Sequence, residues 1–335
     1  DDDFDSLSAS DLHQTATEAD GRLEREERFS EALSGLEEQL ADLPSFTEVD
    51  RYLLSNNDIP AEALAKLDTG KAPRSSYLSS DASKIQVFVM FGLDSGSASD
   101  SVMLVALDRV HQKIKLISLA RDSYVFIPEF ASFSKLAYSY TWGGAAMAVK
   151  NLNYNYYLNV SDYIAVDFDQ LAEIIDRIGG VTVNIDEDEA RYLSNYPNVR
   201  VGDCLLDGET AVSYARIRKS SATDSDRKRT GRQREVILSI LNTLQTMPLS
   251  QYPGFVRDCL GMCATSFEAE TLLTMAAETL GQNYTVEQYF FPEGQVDWWA
   301  GLIKEYFYYV YDLRRASDRI YRIIYEELYI SGYDD

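Results

Sequence analysis

Short apolar runs alternate with amphipathic stretches along the chain from about residue 85. Five runs rich in β-branched residues predict buried strands: IQVFVMFG, VMLVALD, IKLISLA, YIAVDF and VTVNID. Five stretches with a helical pattern predict helices: GGAAMAVKNLNY, DQLAEIIDRIGG, LDGETAVSYA, RTGRQREVILSILNTLQ and EAETLLTMAAETLGQ. Strands mixed with helices predict a layered α/β domain, with helices on both faces of one sheet.

The two ends of the chain have different patterns. Residues 1 to 80 are strongly charged and predict one or two surface helices, from apolar positions at Leu23, Phe29, Leu33, Leu36, Leu40 and Leu43. The stretch LDTGKAPRSSYLSSDAS then predicts a linker. Trp298 to about Tyr329 predicts a long amphipathic helix or helix pair. We therefore divide the chain into a helical accessory segment with linker over 1–80 and one α/β domain over 81–330.

Two helix ends are marked by single residues. Asp207 is the predicted N-cap for LDGETAVSYA, with Glu209 in the first turn. Gly281 would end the helix of EAETLLTMAAETLGQ.

Charge and residue usage exclude several classes of function. The 335 residues carry a net charge of -23 and a pI near 4.4, which argues against general nucleic-acid binding and against resting on an anionic membrane by charge alone. His13 and His111 lie far apart, so a His-based triad or zinc site is not expected. Cys259 and Cys263 form a lone CxxxC, which favours a structural role over metal binding. The chain contains no GxGxxG, GxxxxGK[ST] or GxSxG motif.

One short window gathers basic residues in this acidic chain: Arg216, Arg218, Lys219, Arg227, Lys228, Arg229, Arg232 and Arg234. If the chain is extended at Arg216 and Arg218, both guanidinium groups share a face and Ile217 points to the core. Arg229 and Gln233 are four residues apart at the predicted start of a helix, whose N–H groups and dipole favour anions, with Arg232 alongside. The window predicts a strand and a helix start that converge on more than one phosphate. A solvated charged loop is the alternative.

Two further stretches carry candidate chemistry. Arg121 and Asp122 follow a predicted strand, where ligands of α/β sheets bind. The alternative for them is a surface ion pair of little energy. Asp94 and Asp100 flank a Ser/Gly loop and can share Mg²⁺ with phosphate oxygens, or one of them can simply cap a turn.

Six motifs in order resemble the LytR-CpsA-Psr family: GLDSGSASDSVMLVALD, KIKLISLARDS, KLAYSYTWGG, DRIGGVTVNI, LDGETAVSYARIR and DSDRKRTGRQREVI. The resemblance runs from about Ile85 to Leu244 and more loosely to about Glu327. It implies a three-layer α/β/α fold and a phosphotransferase that moves an anionic glycopolymer, such as wall teichoic acid or capsule, from a polyprenyl-pyrophosphate carrier to peptidoglycan. It also implies a location on the outer face of the membrane of Gram-positive cells, with an N-terminal anchor helix. Because the sequence starts at Asp1, we expect that anchor to lie upstream of this chain.

The resemblance assigns roles by motif position. Asp94 and Asp100 match the Mg²⁺-associated carboxylates, and Arg121 matches the arginine of the family's PRD motif. Arg216 and Arg218 match RIR, and Arg229 and Gln233 match the later R..RQ element, so that these residues would hold the pyrophosphate. An apolar pocket between core helices and strands would take the prenyl chain.

Phosphoryl transfer to a sugar hydroxyl needs a general base, and both Asp94 and Asp122 are candidates.

The chain departs from the family pattern at two positions. Ala98 stands where many members have an arginine two residues before the second aspartate, and Ala120 stands in place of the PRD proline. Loss of an arginine removes one possible phosphate contact. It leaves open a weaker enzyme, a different substrate, a regulator or carrier that binds the polyprenyl (pyro)phosphate, or a pyrophosphatase acting on that lipid.

Overall fold

A computed structural model of the protein describes residues 43–71, 80–94, 99–218, 222–280, 284–292 and 296–325. Its α-helices are α1 (Phe46–Val49), α2 (Ala61–Leu64), α3 (Leu136–Tyr156), α4 (Phe168–Arg177), α5 (Glu187–Tyr192), α6 (Gly208–Ala215), α7 (Ala222–Gln245), α8 (Tyr252–Met262), α9 (Ala269–Leu280) and α10 (Leu313–Tyr325). Its strands are β1 (Ile85–Leu93), β2 (Ser99–Asp108), β3 (Lys113–Leu119), β4 (Tyr124–Ile127), β5 (Ser132–Lys135), β6 (Asp162–Asp167), β7 (Val181–Ile185), β8 (Gly202–Leu206), β9 (Ala264–Thr265), β10 (Thr285–Phe291), β11 (Trp298–Ile303) and β12 (Tyr306–Tyr311). Short 3₁₀ helices form at Asp50–Tyr52, Ser80–Lys84, Pro128–Phe130 and Leu249–Gln251.

The central sheet is mixed. Within the described residues it has six strands in the order β10-β3-β2-β1-β6-β9. Strands β10, β3, β1 and β6 run in one direction, and β2 and β9 run in the other. All five strands predicted from apolar runs form, four of them in this sheet and VTVNI as β7, which pairs antiparallel with β8 across a connection that contains α5. The predicted mixed α/β class is confirmed.

Helices cover both faces of the sheet because successive strand side chains point to opposite sides. Val89 of β1 packs in the core formed with α3 and α10. Its neighbour Phe88 packs in a second core that includes Phe267 and Met275, with Ile237 of α7 against it. The buried sheet between these two helical layers gives the expected α/β/α sandwich.

Helices α4, α6 and α7 pack on the two-stranded sheet β7–β8 to form a third core. The cap of α6 is the one predicted: Asp207 Oδ1 accepts a hydrogen bond from the backbone N–H of Thr210 at 2.9 Å. Hydrogen bonds from Thr210 hold the pKa of the Asp207 carboxyl below its usual value.

Gly208 sits where α6 touches α4. A Cβ atom at this position would lie 2.0 Å from the carbonyl oxygen of Ala172. We therefore expect Gly208→Ala to lower the free energy of unfolding by about 1–3 kcal/mol, because the backbones must move apart. Gly261→Ala on α8 is the matched control, since no atom lies within 4 Å of its added Cβ, and it should be neutral or stabilising by up to ~1 kcal/mol. Urea unfolding of both variants measures the difference, and equal midpoints would contradict it.

The expectation of a helix from Trp298 is wrong up to Tyr311. WWAGLI and YFYYVY form the antiparallel hairpin β11–β12, and only Leu313–Tyr325 is helical. Aromatic and β-branched residues fit a pleated, half-buried surface, and Lys304 adopts a left-handed conformation (φ 54°) that lets the chain turn.

The segment before residue 80 is partly inside the described chain. Leu54, Ile59 and Ala63 are buried against Tyr308 and Val310 of β12. The predicted helical pattern from Leu23 to Leu40, the middle of the predicted linker, Ala98 and the helix end at Gly281 all lie outside the described residues. The division at residue 80 stays a prediction. None of the described helices combines the length and the apolar character that crossing a membrane requires.

Candidate functional site

The sheet topology brings distant residues to one edge. Strands β1, β3 and β6 run in the same direction, so the residues that follow them emerge together: Asp94, Arg121 and Phe168. Strand β2 runs the opposite way, so Asp100, near its start, lies at the same edge. This is the edge where α/β sheets bind ligands.

A polar cavity of about 600 Å³ opens there. It is lined by Asp94, Asp100, Arg121, Phe168, Tyr192, Ser213, Arg216, Arg218, Arg229 and Gln233. Every predicted site residue except Asp122 is therefore brought together. The Asp122 carboxylate instead accepts a hydrogen bond from Lys135 Nζ at 2.6 Å. Four arginines against two aspartates make the lining net positive, as an anion site requires.

Arg121 is held by a tight turn after β3. Its Nη1 donates to Asp100 Oδ1, and its Nε lies 3.6 Å from Asp122 Oδ2. The turn closes with the Ser123 N–H donating to the Ala120 carbonyl at 3.0 Å. The Ala120 N–H donates to the carbonyl of Phe291 at 2.8 Å, which a proline at this position could not do. The departure at Ala120 therefore ties the turn to β10.

Arg216 and Arg218 reach the cavity from a turn and not from a strand. Arg216 has helical backbone angles at the end of α6, so the expectation of an extended chain is wrong. The expected division of side chains is confirmed, because Ile217 is fully buried while Arg216 and Arg218 are exposed. The guanidinium of Arg216 lies 4.5 Å from the centre of the Phe168 ring. Arg218 Nη2 lies 3.8 Å from Asp100 Oδ1.

Arg229 and Gln233 lie within a helix and not at its start. Helix α7 begins at Ala222, so Arg229 lies about 10 Å along the axis from the helix end, and the helix dipole adds little there. The shared face is confirmed, since both residues line the cavity. They are 3% and 9% exposed, and Gln233 Oε1 is buried with no hydrogen-bond partner among the described residues.

Arg232 does not line the cavity and instead binds residues behind its wall. It is 4% exposed, and its Nε donates to Glu189 Oε1 at 2.7 Å. Its Nη1 donates to the carbonyl of Ile217 at 3.1 Å. The expected place of Arg232 alongside Arg229 in the phosphate site is wrong. It fixes the turn between Arg216 and Arg218.

An apolar cavity of about 310 Å³ lies next along the same helix. Gln233 lines the polar cavity, and Ile237, one turn later, lines the apolar one, a rise of about 6 Å. Residues of β1, β2, β3, β6, α4, α8 and α9 form the remaining walls. The polar and apolar cavities are thus neighbours along α7.

Cys259 and Cys263 line the apolar cavity, and both are free thiols. Burial raises their pKa values to about 12 and 11. Because the thiolate is the reactive form, we expect alkylation by iodoacetamide at pH 8 to be much slower in the folded protein than in urea. Mass spectrometry of modified peptides checks this. Equal rates in folded and unfolded protein would contradict the apolar burial.

The family model LytR_cpsA_psr matches residues 56–320, most of the chain. The chain belongs to the LytR-CpsA-Psr family. The match spans both cavities, β11–β12 and most of α10, so the predicted resemblance is confirmed and extends further towards the C-terminus than its motifs.

Curated relatives in this family are distant. The chain is 28% identical over 166 residues (48% of this chain, 54% of the relative) to polyisoprenyl-teichoic acid--peptidoglycan teichoic acid transferase TagU of Enterococcus faecalis. It is 29% identical over 184 residues (52% and 54%) to the regulatory protein MsrR of Staphylococcus aureus. The chain spans about half the length of each of these two relatives.

Two solved structures superpose on most of the chain. TagT bound to LI-WTA has a TM-score of 0.61 at 19% identity, covering 77% of this chain and 99% of that one. Protein gbs0355 of Streptococcus agalactiae has a TM-score of 0.61 at 23% identity, covering 75% and 90%. At these sequence identities the superposition shows a shared fold and nothing about activity.

Sequence reasoning missed three residues that line the polar cavity. Phe168 is the last residue of the predicted strand YIAVDF and directly follows β6, so the rule that placed Arg121 at a strand end would also have found it. Tyr192 at the end of α5 and Ser213 within α6 carry no such signal, because only packing of these helices brings them to the cavity.

Proposed function

We propose that this chain transfers a phosphate-linked glycopolymer from a polyprenyl-pyrophosphate carrier to peptidoglycan. The observation that carries the proposal is that a cavity with four arginines and an apolar cavity lie next to each other along one helix. A lipid pyrophosphate has this division, with two phosphates at one end and a hydrocarbon chain at the other. The TagU relative, named a teichoic acid transferase to peptidoglycan, and TagT bound to LI-WTA support the same class of substrate.

The arginines suit the pyrophosphate in different ways. Arg216 and Arg218 are exposed and can close on a ligand. Arg121 and Arg229 are set deeper, where fewer waters compete and each contact is stronger. Planar guanidinium groups donate paired hydrogen bonds to phosphate oxygens. The buried amide of Gln233 supplies a polar contact between the arginines and the apolar cavity.

The reaction is an exchange of phosphate esters. A peptidoglycan sugar hydroxyl attacks the phosphorus that bears the glycopolymer, one P–O bond forms, and the P–O bond to the carrier breaks, releasing polyprenyl phosphate. The hydroxyl proton passes to Asp94 or Asp122. The arginines offset the charge on the transferring and leaving phosphates.

We include Mg²⁺ in the proposal, held by Asp94 and Asp100. Both carboxylates line the polar cavity, and Asp100 also contacts Arg121. Within the described part of the chain, no group of three or more His, Cys, Asp or Glu is arranged to hold a metal. This donor set fits a cation that takes its remaining ligands from phosphate and water, as Mg²⁺ does. Bound there, the ion would neutralise charge on the transferring phosphate.

The proposed substrates set the place of action. Peptidoglycan and a membrane-bound carrier meet at the outer face of the cell membrane, so we propose that the chain works there, held by an anchor.

Lipid extracted from the purified protein tests the proposal directly. We expect mass spectrometry to find polyprenyl phosphate or pyrophosphate in the wild type and to lose it in the Arg216→Ala/Arg218→Ala double variant. Arg177→Ala is the matched control, because Arg177 forms an exposed ion pair with Asp258. No bound lipid in the wild type, even after incubation with polyprenyl pyrophosphate and Mg²⁺, would overturn the proposal.

A second candidate is a binding protein that holds the lipid pyrophosphate without transferring a glycan. The relative named regulatory protein MsrR and the alanine at position 98 favour it. Lipid binding without turnover, in the presence of acceptor and Mg²⁺, would distinguish it. Release of phosphate without acceptor would instead indicate a pyrophosphatase.

A further inference from the structure

Four aromatic side chains form a partly exposed cluster, here called the aromatic surface: Tyr52, Tyr138, Trp142 and Tyr306. The Tyr52 ring centre lies 5.0 Å from that of Tyr138, 5.9 Å from that of Tyr306 and 6.5 Å from that of Trp142. The planes are inclined to each other by between 30° and 54°. The rings come from the Asp50–Tyr52 3₁₀ helix, from α3 and from β12, so only the folded chain assembles them.

A chain of contacts links the aromatic surface to the polar cavity. Arg121 lines that cavity, and Asp122 follows it in the chain and pairs with Lys135. Lys135 Nζ in turn lies 5.8 Å from the ring centre of Tyr306. The pKa of Tyr138 is raised to about 12, mainly by burial and then by the neighbouring Tyr306, Tyr52 and Asp122, while Arg121 opposes the shift.

The chemistry of the surface fits a sugar chain. All four rings carry a polar atom at the edge, and the Arg51 guanidinium lies 4.5 Å from the Tyr52 ring centre and donates to its hydroxyl. Such rings are apolar on the face and polar at the rim. A pyranose ring has the complementary division, since its C–H faces stack on aromatic rings and its hydroxyl groups bond at the edges.

We propose that the aromatic surface binds the acceptor glycan strand of peptidoglycan. Its sugars stack on Tyr52 and Tyr306, and one hydroxyl passes Asp122 to reach phosphorus held by Arg121. The surface would thus select the acceptor, while the two cavities select the donor. This inference rests on the proposed transfer function and adds where the second substrate binds.

The test is calorimetric binding of oligosaccharides released from undecorated peptidoglycan, with no donor present. We expect the wild-type chain to bind them and the Tyr52→Leu/Tyr306→Leu double variant to bind about tenfold more weakly, as expected for two lost ring contacts. Leucine keeps an apolar side chain but removes the aromatic face. Trp298→Ala is the control, because Trp298 is an exposed aromatic residue of β11 outside the aromatic surface, and it should bind like the wild type. Thermal unfolding confirms that each variant folds.

Binding of polyprenyl pyrophosphate by the same proteins separates the two proposals. Donor binding that persists while oligosaccharide affinity falls in the double variant alone supports the aromatic surface as acceptor site. Oligosaccharide binding that is unchanged in the double variant overturns it, as does donor binding by a wild type that takes no oligosaccharide. A wild type that binds oligosaccharide but no donor would overturn the transfer function instead.

Discussion

Arg121→Ala is expected to lower the rate of glycopolymer transfer by about 1,000-fold, the loss seen when one arginine is removed from a phosphoryl-transfer site. Arg121 lines the polar cavity between Asp100 and Asp122 and is fixed by the turn after β3. Its guanidinium therefore needs no rearrangement to offset charge on the transferring phosphate. The rate is measured with lipid-linked donor and undecorated peptidoglycan under single-turnover conditions.

Two variants sharpen this prediction. Arg121→Lys keeps the charge but not the planar fork, so we expect it to recover only part of the rate. Arg177→Ala removes an exposed arginine of α4 and should leave the rate unchanged. An Arg121→Ala protein that binds donor and transfers glycan at close to the wild-type rate would exclude Arg121 from the reaction.

Arg232→Met is expected to lower the free energy of unfolding by about 3–5 kcal/mol, because it leaves a buried carboxylate without its counter-ion. The side chains of Arg232 and Glu189 are 4% and 9% exposed and are joined at 2.7 Å. The variant also removes the hydrogen bond to the Ile217 carbonyl, so donor binding through Arg216 and Arg218 should weaken as well. Denaturant unfolding and lipid binding measure the two effects.

An exposed ion pair on α5, the helix that carries Glu189, provides the control. Arg191 and Asp188 of α5 are joined at 3.0 Å, with side chains 73% and 58% exposed, and Arg191→Met should change stability by less than ~1 kcal/mol. The Glu189→Leu/Arg232→Met double variant should recover part of the loss, since it removes both charges. If Arg232→Met is as stable as Arg191→Met, the buried pair does not hold the turn.

Local pattern was sufficient for most of the fold. The β-branched runs identified β1, β2, β3, β6 and β7. A strand buried on both faces, such as β2, needs apolar side chains at successive positions, whereas β7 alternates buried and exposed positions. The local pattern failed over 298–311, because the aromatic residues there satisfy the helical and the strand pattern equally well. Only the pairing of β11 with β12 decides between them.

The candidate site also has features that the sequence predicts and features that only the structure shows. The sequence by itself predicted which arginines line the polar cavity, since the type and spacing of Arg121, Arg216, Arg218 and Arg229 are local properties of the chain. It could not determine that Arg232 turns away to Glu189, because burial and the counter-ion are supplied by α5, more than forty residues away. Strand direction in the sheet, helix packing and the assembly of the two cavities and the aromatic surface were decided only by the tertiary structure. These features depend on contacts between residues distant in sequence, which no local pattern encodes.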